Sequence, residues 1–149
     1  MLKHIIAAAL LATLGLAASA AHSSPIIAHG DASLCVDIKG GRIVEGTPLQ
    51  LWPCHGKDPQ NFGIDTTSAA VIFAVAKQDL CVDGRDKQPL RLTKCGAVHT
   101  EWRFDPKTNT VRSKNGLCWD ISGANLKQQQ PLVAWRCHNR MNQQFKYQK

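Results

Sequence analysis

Apolar and polar residues alternate with a period of two in three separate stretches of the chain: PLQLWPC at 48–54, PLRLTKC at 89–95 and PLVAWRC at 131–137. Side chains of a strand point to opposite faces in turn, so this alternation, bounded by proline and glycine, predicts half-buried β-strands. Each stretch follows a short apolar segment with a cysteine, LCVD at 34–37, LCVD at 80–83 and LCWD at 117–120. Each is followed by an aromatic behind polar residues, in PQNF at 59–62, TEWRF at 100–104 and NQQF at 142–145. Turn signals such as DPKTNT at 105–110 and KNG at 114–116 lie between these segments. No amphipathic stretch of helical period runs beyond a turn or two, so the pattern predicts an all-β chain.

The cysteines set the period. Cys35 to Cys81 is 46 residues and Cys81 to Cys118 is 37, close to 40 on average, which marks a repeat architecture. The units are expected at about 34–79, 80–116 and 117–149. Each is too small to bury its own hydrophobic face, so the three must share one core, and closure of their strands into a barrel removes exposed edges. The closing aromatics, Trp102 and Trp119 are expected in that core, Trp119 because it takes the place of Val36 and Val82. Trp52 and Trp135 stand at polar strand positions and are expected outside it.

The three LCxD segments, the PLxLW strands and the Q-x-aromatic closures resemble the ricin B-type lectin family, over Leu34 to about Tyr147. The resemblance implies a β-trefoil, three repeats of about 40 residues with pseudo-threefold symmetry and one disulfide per repeat, binding sugars without catalysis. If Cys35 then pairs with Cys54 directly across an antiparallel hairpin, the register sets Asp37 opposite Trp52 and Lys39 opposite Gln50. Pairing of Cys118 with Cys137 likewise sets Asp120 opposite Trp135 and Ser122 opposite Val133. Pairing of Cys81 with Cys95 sets Asp83 opposite Thr93, with no aromatic and only nine residues between them, against fourteen in the other units. A carboxylate beside an exposed indole suits a sugar: the acid accepts hydrogen bonds from adjacent hydroxyls, and the ring packs on the C–H face of a pyranose. GGRIVEGT at 40–47 and SGANLKQQQ at 122–130 are long enough to open the hairpins for it.

Carried over residue by residue, the resemblance implies sugar-binding roles for Asp120, Trp135, Asn142 and Gln143 in the third unit, where Val133 replaces a strand glutamine. In the first unit it implies them for Asp37, Gln50, Trp52 and Gln60, with Gln60 either supporting the aspartate or reaching the sugar, and with Pro59 replacing an asparagine. The middle unit keeps the fold and has no site. The plainer alternative for each LCxD is that its aspartate closes a turn or caps backbone amides.

Composition narrows the function classes. Lys3 and His4, the apolar run 5–16 and the small residues Ala18-Ser19-Ala20 read as a secretory signal over 1–20, cleaved near Ala20. An N-terminal segment at 21–33 and a lectin domain at 34–149 follow, and no later stretch approaches the ~20 apolar residues of a membrane span. Six cysteines in an exported chain read as a disulfide framework, which places the protein outside the cell or in a periplasm. After cleavage 17 Lys and Arg face 11 Asp and Glu, but no two basic residues are adjacent, unlike the dense clusters of nucleic-acid and heparin sites.

His55 and His138 each follow a second cysteine. Disulfide cysteines cannot ligate zinc, so no metal or cofactor is expected, and these histidines are either pocket-rim donors or solvent-exposed. No carboxylate pair or nucleophile arrangement of an enzyme is recognisable. The expected partners are glycans. Two rivals stay open: a non-catalytic delivery subunit for a separately encoded toxin or enzyme, and a structural trefoil binding protein or polyanion.

Overall fold

The structure is a computed structural model that describes residues 23–65 and 71–147. The expected signal 1–20 lies outside the described residues. Among the described residues twelve short strands follow one another: β1 Ile26–Ala28, β2 Leu34–Ile38, β3 Leu49–Pro53, β4 Phe62–Asp65, β5 Val71–Ala74 and β6 Leu80–Asp83. Then come β7 Arg91–Lys94, β8 Arg103–Asp105, β9 Thr110–Arg112, β10 Leu117–Ile121, β11 Leu132–Arg136 and β12 Phe145–Tyr147. They form three four-stranded antiparallel sheets, ordered β12-β1-β2-β3, β4-β5-β6-β7 and β8-β9-β10-β11. This is the all-β trefoil the sequence predicts. The segment expected at 21–33 contributes β1, which pairs with β12 and so joins the two ends of the described chain.

The apolar face of every alternating strand meets one core. Val36, Leu51, Val82, Leu92, Trp119, Ile121 and Leu132 pack there with the closing aromatics Phe62, Trp102 and Phe145, all within 1% of full burial. Trp119 packs edge-on against Trp102 and Phe145 with centroids 6.1 and 6.3 Å apart, a favourable aromatic geometry. The repeated Pro-Leu dipeptide stitches the units together: Leu49 N–H donates to Leu90 O and Leu90 N–H to Leu132 O, each at 2.9 Å. Equivalent residues thus satisfy one another's backbone groups around the pseudo-threefold axis, which a single unit cannot do.

The disulfides are Cys35–Cys54, Cys81–Cys95 and Cys118–Cys137, one per repeat. The hairpin register, however, differs by two residues from the one expected. Cys35 lies opposite Trp52 and Asp37 opposite Gln50; Cys118 lies opposite Trp135 and Asp120 opposite Val133; Asp83 lies opposite Arg91. The expected Asp37–Trp52, Asp120–Trp135 and Asp83–Thr93 pairings are therefore corrected. The second cysteine has already left the strand and curls back, with Cys54 N–H donating to Ser33 O at 2.9 Å, so the sulfur bridge runs diagonally. A shift of two preserves side-chain parity, so acid, indole and disulfide still share one face.

Candidate functional site

Asp37 and Asp120 sit near the ends of β2 and β10, where the chain turns sharply through Lys39–Gly41 and Ser122–Ala124. Gly40 and Gly123 hold φ of 66° and 67°, which glycine adopts without steric cost, and these turns swing the hairpin loops outward into one wall of a pocket. Trp52 or Trp135 forms part of the lining in each. The first pocket encloses about 710 Å³ and the third about 480 Å³. Trp135 is 39% exposed and Trp52 half-buried, so both indoles offer surface to a ligand, in contrast to Trp102 and Trp119.

Each carboxylate is nearly buried, 4% exposed for Asp37 and 5% for Asp120, and is held by side-chain amides. In the third unit Gln143 Nε2 donates to Asp120 Oδ2 at 2.8 Å and Asn142 Nδ2 to Oδ1 at 3.0 Å. In the first, Gln60 Nε2 donates to Asp37 Oδ1 at 3.2 Å and Gln50 Nε2 to Oδ2 at 3.1 Å. Each departure from the family pattern is thus covered within its own unit. Pro59 supplies no donor, but Gln50 reaches the oxygen left open; Val133 supplies none, but Asn142 does. Each aspartate ends with two amide donors, one from β3 and one from the turn Asp58–Gln60 in the first unit, and both from the turn Met141–Gln143 in the third.

Gln60 and Gln143 are fully buried and support the aspartates. They lock the site. Gln143 Nε2 also donates to Arg136 O at 3.0 Å, and its Oε1 accepts from His138 N–H at 2.8 Å. Gln60 repeats this with Pro53 O at 3.1 Å and His55 N–H at 2.8 Å. One glutamine therefore ties the carboxylate to the end of the tryptophan strand.

Sequence reasoning left the histidines undecided, and both turn inward. His138 Nε2 lies 3.3 Å from Asp120 Oδ2 and His55 Nε2 lies 3.5 Å from Asp37 Oδ1. Their Nδ1 atoms accept backbone N–H groups, from Arg140 at 3.1 Å and Lys57 at 3.0 Å, which leaves the Nε2–H tautomer to face the acid. The legible signal was the Cys-His dipeptide repeated in the two units that keep a tryptophan. Burial pushes the Asp37 carboxyl above its ordinary value near 3.8, against the opposing pull of Gln50, Gln60 and His55. Among the described residues no group of three histidine, cysteine or acidic side chains is placed to hold a metal.

In the middle unit a pocket of about 410 Å³ stands beside Asp83, but arginines engage the carboxylate. Arg91, opposite Asp83, places Nε 3.5 Å from Oδ2, and Arg85 Nε lies 3.9 Å away. Thr93 takes the tryptophan position. Thr100 replaces the locking glutamine and donates its hydroxyl to Ala97 O instead.

The family model of the ricin-type beta-trefoil lectin domain matches residues 23–145. Nigrin b of Sambucus nigra is 46% identical over 37 residues, a stretch that spans 25% of this chain and 7% of Nigrin b. The C-half of an earthworm R-type lectin, solved in complex with GalNAc, superposes with a TM-score of 0.72 at 17% identity, covering 84% of this chain and 96% of that one. A mosquitocidal holotoxin superposes with a TM-score of 0.74 at 17% identity over 86% of this chain and 17% of the toxin. With the repeat, the disulfide in every unit and the matched residues taken together, the chain belongs to the ricin-type β-trefoil lectin domain family.

Proposed function

We propose that this chain, exported after cleavage near Ala20, is a non-catalytic lectin that binds terminal sugars of glycans, galactose-type, through the pockets of the third and first units. The observation that carries the reading is a nearly buried aspartate, fixed by two amides, on the same strand face as an exposed tryptophan, twice. Two amide donors leave lone pairs of each carboxylate for adjacent sugar hydroxyls, while Trp135 or Trp52 covers the apolar sugar face. Gln60 and Gln143 are positioning residues in this scheme, and His55 and His138 donors that orient the acid. Each site is open and weak alone; two on one rigid body gain avidity on a dense glycan surface.

The test is binding to a glycan array in competition with free monosaccharide. The Asp37→Ala, Asp120→Ala double variant is expected to lose binding while keeping its folded spectrum, and undiminished binding refutes the assignment. Affinity that collapses with salt and ignores sugar favours a polyanion ligand instead. A second reading, a delivery subunit for a toxin, draws on the superposition with one part of a far larger toxin chain. Co-purification of the chain with a toxic or enzymatic partner from its native source would support it.

A further inference from the structure

Three threefold-related loop residues hold positive φ: Gly46 at 89°, Lys87 at 61° and Gln129 at 67°. Each donates its backbone N–H to the residue just before the platform position of the next unit: Gly46 to Leu92 O, Lys87 to Ala134 O and Gln129 to Leu51 O, at 2.7–2.8 Å. That position is Thr93, Trp135 and Trp52 respectively. Glycine adopts this conformation freely, whereas lysine and glutamine do so at a steric cost. The costly residues stand only where the neighbouring platform is tryptophan, and each lines that neighbour's pocket. Strain kept at a pocket wall points to a role for the side chain.

Lys87 shows what the role is. Its Nζ lies over the Trp135 ring, 5.9 Å from the centroid, and it has no ion-pair partner among the described residues. Arg140 and His138 line the same pocket, in which, among the described residues, Asp120 is the sole acid. A neutral sugar stacking on Trp135 displaces the ammonium from the ring and returns to it only hydrogen bonds to uncharged hydroxyl oxygens. A sugar with an anionic group beside the bound hydroxyls draws the ammonium from the ring into an ion pair.

We propose that Lys87, supplied by the middle unit, is a specificity residue of the third pocket and directs it toward sugars bearing a carboxylate or sulfate. This rests on the lectin reading above. The unit without a tryptophan platform of its own therefore contributes selectivity to its neighbour's pocket.

The full chain is titrated with lactose, sulfolactose and sialyllactose, following the indole N–H signals of Trp135 and Trp52 by NMR so that each pocket reports separately. At Trp135 the anionic sugars are expected to bind about fivefold more tightly than lactose at low salt, the factor for one exposed ion contact in water. The ratio should shrink toward one in about 1 M salt, where screening acts within ~3 Å. Preference for only one of the two anionic sugars identifies carboxylate or sulfate as the group read. Lys87→Gln, which copies the residue that holds the same conformation at Gln129, should lower the ratio at Trp135 without moving it at Trp52. Equal affinity for all three sugars in the wild-type chain, or an unchanged ratio in Lys87→Gln, overturns this inference and leaves the lectin reading standing. No response of either indole to any of the sugars overturns both.

Discussion

Replacing Gln143 by alanine tests whether the buried glutamine locks the third site. In the folded protein its side chain makes three well-formed hydrogen bonds, to Asp120 Oδ2, to Arg136 O and from His138 N–H, and a longer one from Asn139 N–H at 3.3 Å. A bond to a charged acceptor contributes about 1.5–3 kcal/mol and a neutral one about 1 kcal/mol. The side chain is fully buried, so its partners lose their bonds with little compensation from bulk water. The expected loss of unfolding free energy is therefore about 3–5 kcal/mol, at the upper end for one substitution. Urea unfolding with the disulfides intact measures it, the midpoint falling while the slope is unchanged.

Below its midpoint the variant should still fold, but with Asp120 held by Asn142 and His138 alone. Pre-organisation of the acceptor is then partly lost, and the sugar affinity of the third pocket should fall about tenfold, ~1.4 kcal/mol. The matching Gln60→Ala should do the same to the first pocket and leave the third untouched. A stability change under about 1 kcal/mol, or an unchanged affinity at Trp135, would refute the locking role.

Two further predictions concern the indoles and the acid. Trp135→Ala should abolish binding at the third pocket at little cost in stability, whereas Trp119→Ala, in the centre of the core, should cost about 3–5 kcal/mol; equal thermal shifts in the two variants would contradict the division into platform and core. Burial raises the Asp37 carboxyl, so the folded state takes up its proton more readily than the unfolded chain. That contribution to stability is complete below the ordinary value near 3.8 and is lost as the pH rises through the raised value. Sugar binding at the first pocket, which needs the carboxylate facing His55, Lys39 and Lys57, should run the other way and decline on acidification before pH 3.8 is reached. A Trp52 binding titration with its midpoint at or below 3.8 would refute this.

Much of the molecule was legible before any coordinates. Period-2 alternation identified the strands, and a spacing near 40 residues required three units to share a core. Valine and tryptophan at equivalent positions marked Trp119 as core, and tryptophan at polar positions marked Trp52 and Trp135 as surface. The middle unit could be set aside because Thr93 offers no ring. These readings follow from local rules, since side-chain parity and turn chemistry act within a few residues.

The two-residue error in register has a local cause that spacing does not reveal. Cysteines at the hairpin mouth can be joined either straight across or diagonally, and only the path of the chain after Pro53 or Arg136 decides. The two candidate pockets survive the error because parity did. The exchange of Gln50 for Asn142 as the second amide donor was hidden for a related reason. Donors from a strand and from a turn converge on one carboxylate only when three elements are packed together.

The sequence by itself thus determined the all-β strands, the threefold repeat and the two units with an acid and an indole on one face, because each is written in local spacing. The trefoil and its disulfide pairing were what the family resemblance implied. Tertiary structure alone decided what crosses from one repeat to the next. Lys87 belongs by sequence to the unit without a tryptophan platform, and it reaches Trp135 because its N–H must find Ala134 O across the boundary between units. That contact depends on the threefold packing of the whole barrel, which no spacing within a single repeat encodes.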